Sequence, residues 1–334
     1  MEGGGDQKHS INHCSLISRI PHHTPLFFLS TICFKQFSKY SLSWKRGEKD
    51  MVRIRFGPAG KPITYKGSTI GIPKFLHEIG LDAFEYEAVR GVRIREDQAK
   101  KLGEEAEKYD VKLSLHAPYF INLSALNEET VRKSKLRLIE AALAASWMKA
   151  YVVVFHPGYY LKQTEKEALE KATEALKDVE EELRSQGIGE VLLGAETTGK
   201  KSELGSLEEV VKMSQEVDIV VPVIDWAHIH ARSVGLLITT MDDVIKVIEY
   251  VEKNVGEKAL KPMHMHFSKI MFKEHGEKEH VVLSDKNYGP NFEIVCEGIL
   301  EVGVDAVIIS ESPILEQDAL LMKRICSEIM SRRK

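Results

Sequence analysis

Cysteine is scarce in this chain of 334 residues: Cys14, Cys33, Cys296 and Cys326 are scattered and form no CxxC pair. That excludes a thiolate zinc site, gives no reason to expect a disulfide framework, and implies a reduced, cytoplasmic setting. A long apolar run is missing too. Leu26–Phe34 falls far short of the roughly 20 residues that cross a bilayer, so no membrane partner is expected. Nor is there a basic excess, the formal net charge being −4. Residues 1–50 carry seven basic and four acidic side chains, which leaves −7 for residues 51–334. A basic nucleic-acid arm is therefore excluded, and any grip on phosphate must come from a local field. What is present, 43% hydrophobic and 29% charged residues, describes a globular chain with a substantial core.

The first fifty residues differ from the rest. Gly3-Gly4-Gly5, His22-His23 and clusters of Ser and aromatics show no sustained period of 3.6 or 2. Lys8 and Arg19 precede the short apolar run, but Phe34-Lys35-Gln36-Phe37 offers no small-residue cleavage site. Met51 opens a clean strand pattern, Val52-Arg53-Ile54-Arg55-Phe56-Gly57, and Arg46-Gly47-Glu48 is encodable by a purine-rich ribosome-binding stretch. Residues 1–50 thus read as a non-native or disordered extension, with one domain over 51–334.

From Met51 on, the periodicity alternates. Short apolar runs at 52–57, 82–87, 111–117, 150–156, 191–196, 220–225, 261–267 and 304–310 are separated by amphipathic, Lys/Glu-laced segments such as Glu128–Lys149 and Thr164–Gln186. Ser206-Leu207-Glu208-Glu209 is a helix-start signal. Eight βα units in 284 residues predict an α/β fold, a (β/α)8 barrel, typically about 250 residues long. No strand ends in a glycine-rich phosphate loop, which disfavours a doubly wound open sheet.

In a barrel, side chains at the strand C-termini converge on one mouth. Strand three ends in His116, four in His156, five in Glu196 and six in Asp225, with His228 three residues on. Strand seven carries His264 and His266, His280 lies in the loop after it, and Glu311 follows strand eight. Any one of these reads as a hydrogen-bonded packing or solvated residue. Six consecutive strands ending in imidazole or carboxylate make a divalent-metal site the better reading, with zinc, or alternatively manganese, suited to donors that include no thiolate. His77 and His275 keep a surface or packing role, and Met263 and Met265 read as packing.

These segments also carry a resemblance. His116-Ala117-Pro118-Tyr119 with Ile121-Asn122-Leu123, Phe155-His156-Pro157-Gly158, Ala195-Glu196-Thr197-Thr198-Gly199 and Ile224-Asp225-Trp226-Ala227-His228 resemble the endonuclease IV family of apurinic/apyrimidinic endonucleases, in matching order from residue 51 to about 330. The resemblance implies a barrel holding three zinc ions that cleaves the phosphodiester 5′ of an abasic site in double-stranded DNA, leaving a 3′-hydroxyl. It implies His116, His156 and Glu196 as ligands of the first metal. Glu196 would bridge to a second, completed by Asp225, a strand-seven histidine and Glu311, with Glu196 and Glu311 as the catalytic carboxylates. His228 and His280 resemble ligands of the third. His266 is preferred to His264 because it lies nearer the mouth.

One departure concerns the third site. Where the family places an Asp two residues before the histidine matched by His280, this chain has Lys278, so Glu277 or Glu279 substitutes or the site is weaker. Tyr119 is a candidate to enter the duplex at the missing base, and Arg90, Arg93 and Arg232 to hold flanking phosphates. No obligatory protein partner is expected, and the protein would work at the nucleoid. Two other functions fit part of the pattern. Glu196, Asp225, His266 and Glu311 equally suit a metal-dependent sugar isomerase or epimerase, and Lys278 allows a noncatalytic abasic-DNA-binding protein.

Overall fold

The computed structural model describes residues 52–333; the expectations for residues 1–50, including Cys14 and Cys33, lie outside the described residues. Eight strands form the barrel: β1 Ile54–Pro58, β2 Ala83–Glu87, β3 Lys112–His116, β4 Val152–Phe155, β5 Leu192–Glu196, β6 Val220–Asp225, β7 Met263–Phe267 and β8 Ala306–Ser310. Their order is β1-β8-β7-β6-β5-β4-β3-β2, every neighbour parallel. β2 returns to β1 through the Ala59–Glu85 bridge and the Asp82 N–H donated to Phe56 O at 3.1 Å, which closes the ring.

Two strand types build the wall. β4 (VVVF) and β6 (VVPVID) are apolar on both faces because helices cover one side and the barrel interior fills the other. β2 (AFEYE) and β7 (MHMHF) instead alternate. Their Phe84, Met263 and Met265 pack outward on the main core, and Glu85, His264 and His266 occupy the interior.

Nine α-helices accompany the strands among the described residues: α1 Ile72–Ile79, α2 Glu96–Lys108, α3 Glu128–Trp147, α4 Glu165–Ser185, α5 Leu207–Glu216, α6 Trp226–Arg232, α7 Met241–Val255, α8 Phe292–Val302 and α9 Glu316–Arg332. α4, α5 and α7 begin with full capping boxes, Thr164 with Glu167, Ser206 with Glu209 and Thr240 with Asp243, which satisfy otherwise orphaned N–H groups. An antiparallel ribbon, Lys269–Lys273 with Gly276–Val281, follows β7 directly, so His280 sits on a strand and not in a plain loop. None of these helices is long and apolar enough to cross a membrane.

One expectation is corrected. Cys296 on α8 and Cys326 on α9 form a disulfide, their Cα atoms 5.8 Å apart and 30 residues apart in sequence. The two helices pack side by side and bury both sulfurs. Their pairing is a tertiary fact that sequence spacing does not encode.

Candidate metal centre

Strand register brings the donors to one level. Glu87 on β2 is paired with His116 on β3, and Asp225 at the end of β6 with His266 on β7. Asp225 is also the N-cap of α6: its Oδ1 accepts from the His228 N–H at 2.7 Å, which fixes the turn that carries His228 to the mouth.

Glu196 sits at the centre, fully buried. Its Oε2 lies 3.2 Å from His116 Nε2 and 3.1 Å from His156 Nε2; its Oε1 lies 3.2 Å from both His228 Nδ1 and His266 Nδ1. Glu311 puts Oε1 3.2 Å from His266 Nδ1 and Oε2 3.8 Å from His280 Nδ1. Three groups at the mouth have donor atoms mutually within 4.8 Å: His116, His156 and Glu196; Glu196, Asp225, His266 and Glu311; His228, His280 and Glu311.

Backbone and hydroxyl partners decide which imidazole nitrogen is free. His116 Nδ1–H donates to Ala117 O at 2.8 Å, leaving Nε2. His228 Nδ1–H donates to Thr197 O at 2.8 Å, again leaving Nε2. Ser268 Oγ donates to Lys269 O, so it accepts from His280 Nδ1–H at 2.7 Å and leaves the third Nε2. The free nitrogens of His228 and His280 both face Glu277, at 3.5 and 3.7 Å. Fixing a tautomer through the opposite ring nitrogen is how proteins prepare histidine as a ligand.

Lys278 is not in this cluster. It is exposed and pairs with Glu279 at 3.3 Å. A register shift in the ribbon sets Phe272 opposite Glu277 and Met271 opposite Glu279, which turns Lys278 outward and Glu277 toward His228 and His280. Arg232 is also occupied: it donates to Lys200 O at 2.6 Å, Glu203 O at 3.0 Å and Tyr160 Oη at 2.7 Å, so it ties loops together. Arg90 and Arg93 are exposed. Tyr119 and its neighbour Phe120 are 45% and 49% exposed, the Tyr119 ring 5.0 Å from that of His116.

Sequence reasoning missed Glu85 and Glu87 on β2. The first is buried beside His264 and His266, and the second lies at the mouth level of His116. The segment DAFEYE reads as a half-solvated strand, and only closure of the ring reveals that its polar face is the barrel interior.

The donor set fits divalent cations. Six carboxylates (Glu85, Glu87, Glu196, Asp225, Glu277, Glu311) and six imidazoles share this region. Asp225 Oδ2 and Glu87 Oε1 are buried with no hydrogen-bond partner, a costly arrangement unless a cation meets them. Titration reflects the same excess of negative charge. Burial alone would depress His116, but the Glu196 hydrogen bond and the charges of Glu87 and Glu196 push it up to about 10. His228 and His266 are likewise raised well above the ordinary range, against burial, by Asp225 and by Glu85 respectively. Burial raises Glu87 to about 8 and Asp225 to about 6, helped by neighbouring carboxylates. Burial opposes ionisation of Glu196 too, yet the charges of His266 and His156 hold it well below the usual carboxylate range. Without a cation, protons on the imidazoles offset this negative charge.

A closed ring of parallel strands with carboxylates and imidazoles gathered at its C-terminal mouth defines a xylose isomerase-like barrel. The chain belongs to that family: the Xylose isomerase-like TIM barrel family matches residues 73–324. An uncharacterized protein of Methanocaldococcus jannaschii is 36% identical over 83% of this chain and 98% of its own. A protein described as "Probable endonuclease 4" from Aquifex aeolicus is 25% identical over 63% of this chain and 76% of its own. Among solved structures, endonuclease IV from Thermus thermophilus superposes with a TM-score of 0.61 at 20% identity, over 83% of this chain and 99% of that one. A D-tagatose 3-epimerase-like protein gives a TM-score of 0.60 at 22% identity, over 77% and 91%. The two structural likenesses establish the fold, which both activities share.

Proposed function

We propose that the protein is a metal-dependent DNA-repair endonuclease that hydrolyses the phosphodiester 5′ of an abasic site in double-stranded DNA and leaves a 3′-hydroxyl. The observation that carries this reading is the convergence of His228 Nε2, His280 Nε2 and the Glu277 carboxylate beside the Glu196–Asp225–His266–Glu311 set. A sugar isomerase or epimerase needs only that four-residue set. The donors on either side of it, His116 and His156 on one and His228, His280 and Glu277 on the other, suit an extended phosphodiester.

Divalent ions held by these donors, zinc or manganese, would neutralise the phosphate and activate water near neutral pH. Glu196 turns one oxygen to His116 and His156 and the other to His266, the disposition of a carboxylate shared by adjacent sites. Glu311 sets one oxygen 3.2 Å from His266 Nδ1, and its other lies 3.8 Å from His280 Nδ1, the nitrogen that donates to Ser268. Around this polar floor the rim is apolar: Tyr119, Phe120, Leu161 and Leu236 are exposed on loops after β3, β4 and α6. Such a rim suits a duplex with a gap in its stack, because extruding an unpaired abasic nucleotide costs less than flipping a stacked base. Arg90 and Arg93 are free to meet flanking phosphates, while Arg232 acts by positioning Tyr160 and the loop after β5. Action in the cytoplasm, without a membrane or an obligatory protein partner, completes the reading.

The test is a duplex oligonucleotide with one stable abasic analogue, incubated with protein loaded with zinc or manganese. Nicking that leaves a polymerase-extendable 3′-hydroxyl is expected. Epimerisation of a ketohexose without nicking would establish the isomerase reading, and tight binding of the abasic duplex without nicking the noncatalytic one.

A further inference from the structure

Beneath the metal centre, where a barrel is ordinarily filled by branched apolar side chains, a second polar layer crosses the interior. Glu85 on β2 is fully buried and level with Ser114 on β3. Its Oε2 accepts from Ser114 Oγ at 2.8 Å and from His264 Nε2 at 3.0 Å. His264 Nδ1 in turn meets the hydroxyl of Tyr151 at 2.6 Å. Glu85 Oε1 lies 3.0 Å from His266 Nε2 as an ion-pair contact, and neither of these two buried atoms makes a hydrogen bond.

The proton positions follow from what each group can do. A carboxylate only accepts, so His264 Nε2 carries the proton and its Nδ1 accepts from Tyr151 O–H. Both nitrogens of His266 face carboxylates, but Nε2 is turned into the barrel toward Glu85 alone, whereas Nδ1 lies 3.2 Å from Glu196 and from Glu311, on the side of the donor set. Of the clustered histidines, His116, His228 and His280 present Nε2; His266 alone is turned the other way.

We propose that Glu85, anchored by Ser114, His264 and Tyr151, is a positioning residue that selects Nδ1 of His266 as the ligand nitrogen of the second metal site. This rests on the metal centre described above. His264, Glu85 and His266 are not themselves a cation site, because His264 Nε2 is committed as a donor and the Oε2 of Glu85 is already doubly bonded.

Wild type, Glu85→Gln and Tyr151→Phe are stripped with chelator and titrated with Co²⁺, reading stoichiometry, per-site affinity and visible absorption, with metal-free thermal midpoints measured alongside. The expected result is the same number of ions at saturation in all three. One site in Glu85→Gln should weaken by about 10- to 100-fold, with altered Co²⁺ bands, as loss of a partner behind a metal-bound histidine does. Tyr151→Phe should shift both readouts in the same direction by less. Unchanged affinity and spectrum in Glu85→Gln would overturn the proposal, and one ion fewer at saturation would make the trio a cation site instead. Should Glu85→Gln not fold, an unchanged weakest site in Tyr151→Phe overturns it. Wild type that takes up no metal overturns the endonuclease reading as well; wild type that nicks abasic DNA beside an unaltered Glu85→Gln overturns only this one.

Discussion

Glu196 shares its two oxygens between different histidines at distances of 3.1 to 3.2 Å. Glu196→Gln keeps the shape and removes one charge, so the fold should survive while adjacent donor sets lose their common ligand. Nicking is expected to fall about a thousandfold or more, because metal stabilisation of the transition state amounts to several kcal/mol. A near wild-type rate with unchanged metal content would show that Glu196 is no bridge. At the third set, Glu277→Gln should cost one ion under mild chelation. Lys278→Asp should leave retention unchanged, since Lys278 faces solvent and Glu279. A marked gain of retention in Lys278→Asp would mean that Glu277 does not complete the site. Counting residues back from His280 points to position 278. The ribbon's register shift, invisible in the linear sequence, turns position 277 instead toward His228 and His280.

The eight strands were legible because each is a short apolar run between amphipathic segments, and their terminal donors were legible because parallel strands share one mouth. The ribbon was not: Gly276–Val281 (GEKEHV) is polar and its partner Lys269–Lys273 follows β7 almost without a break. Its docking depends on glycines. Glu277 N–H donates to Gly199 O at 3.0 Å, Gly276 has a φ of +101°, and a Cβ there would stand 2.2 Å from Gly199 O. Gly276→Ala should therefore lift the ribbon and, on the proposed reading, weaken metal retention by His228, His280 and Glu277 and reduce nicking while the barrel melts nearly as before. A thermal midpoint that falls as steeply as activity would make the ribbon part of the folding core. Elsewhere, the disulfide between α8 and α9 closes 30 residues of chain, and Cys296→Ser should cost about 3.6 kcal/mol by the chain-entropy argument. An unchanged denaturation midpoint under oxidising conditions would refute that contribution.

For the whole molecule, the charge of −7 over residues 51–334 and the surplus of carboxylates at the mouth make stability depend on what occupies the centre. In the metal-free protein protons do. His116 is raised from 6.5 to about 10, so the stability it contributes is complete below pH 6.5 and disappears as pH climbs toward 10. Glu87, raised from 4.5 to about 8, and Asp225, raised from 3.8 to about 6, hold extra protons in the folded state and act in the same direction. Wherever the native state binds more protons than the unfolded chain, stability falls with rising pH. Glu311, lowered from 4.5 to about 2, supplies the opposite limb, losing its contribution as pH drops below 4.5. The chelated protein should thus be most stable near pH 4.5, weaken above it as Asp225 and Glu87 lose their extra protons, and lose further thermal midpoint from about pH 6.5 to 9.5 as His116 does. On the proposed reading, bound metal would replace those protons and hold the imidazoles deprotonated, so the loaded protein should melt at a nearly constant temperature across that alkaline window. Melting curves of both forms at matched ionic strength measure the difference. Two parallel declines would show that the imidazole and carboxylate cluster is a proton-stabilised packing network and holds no metal.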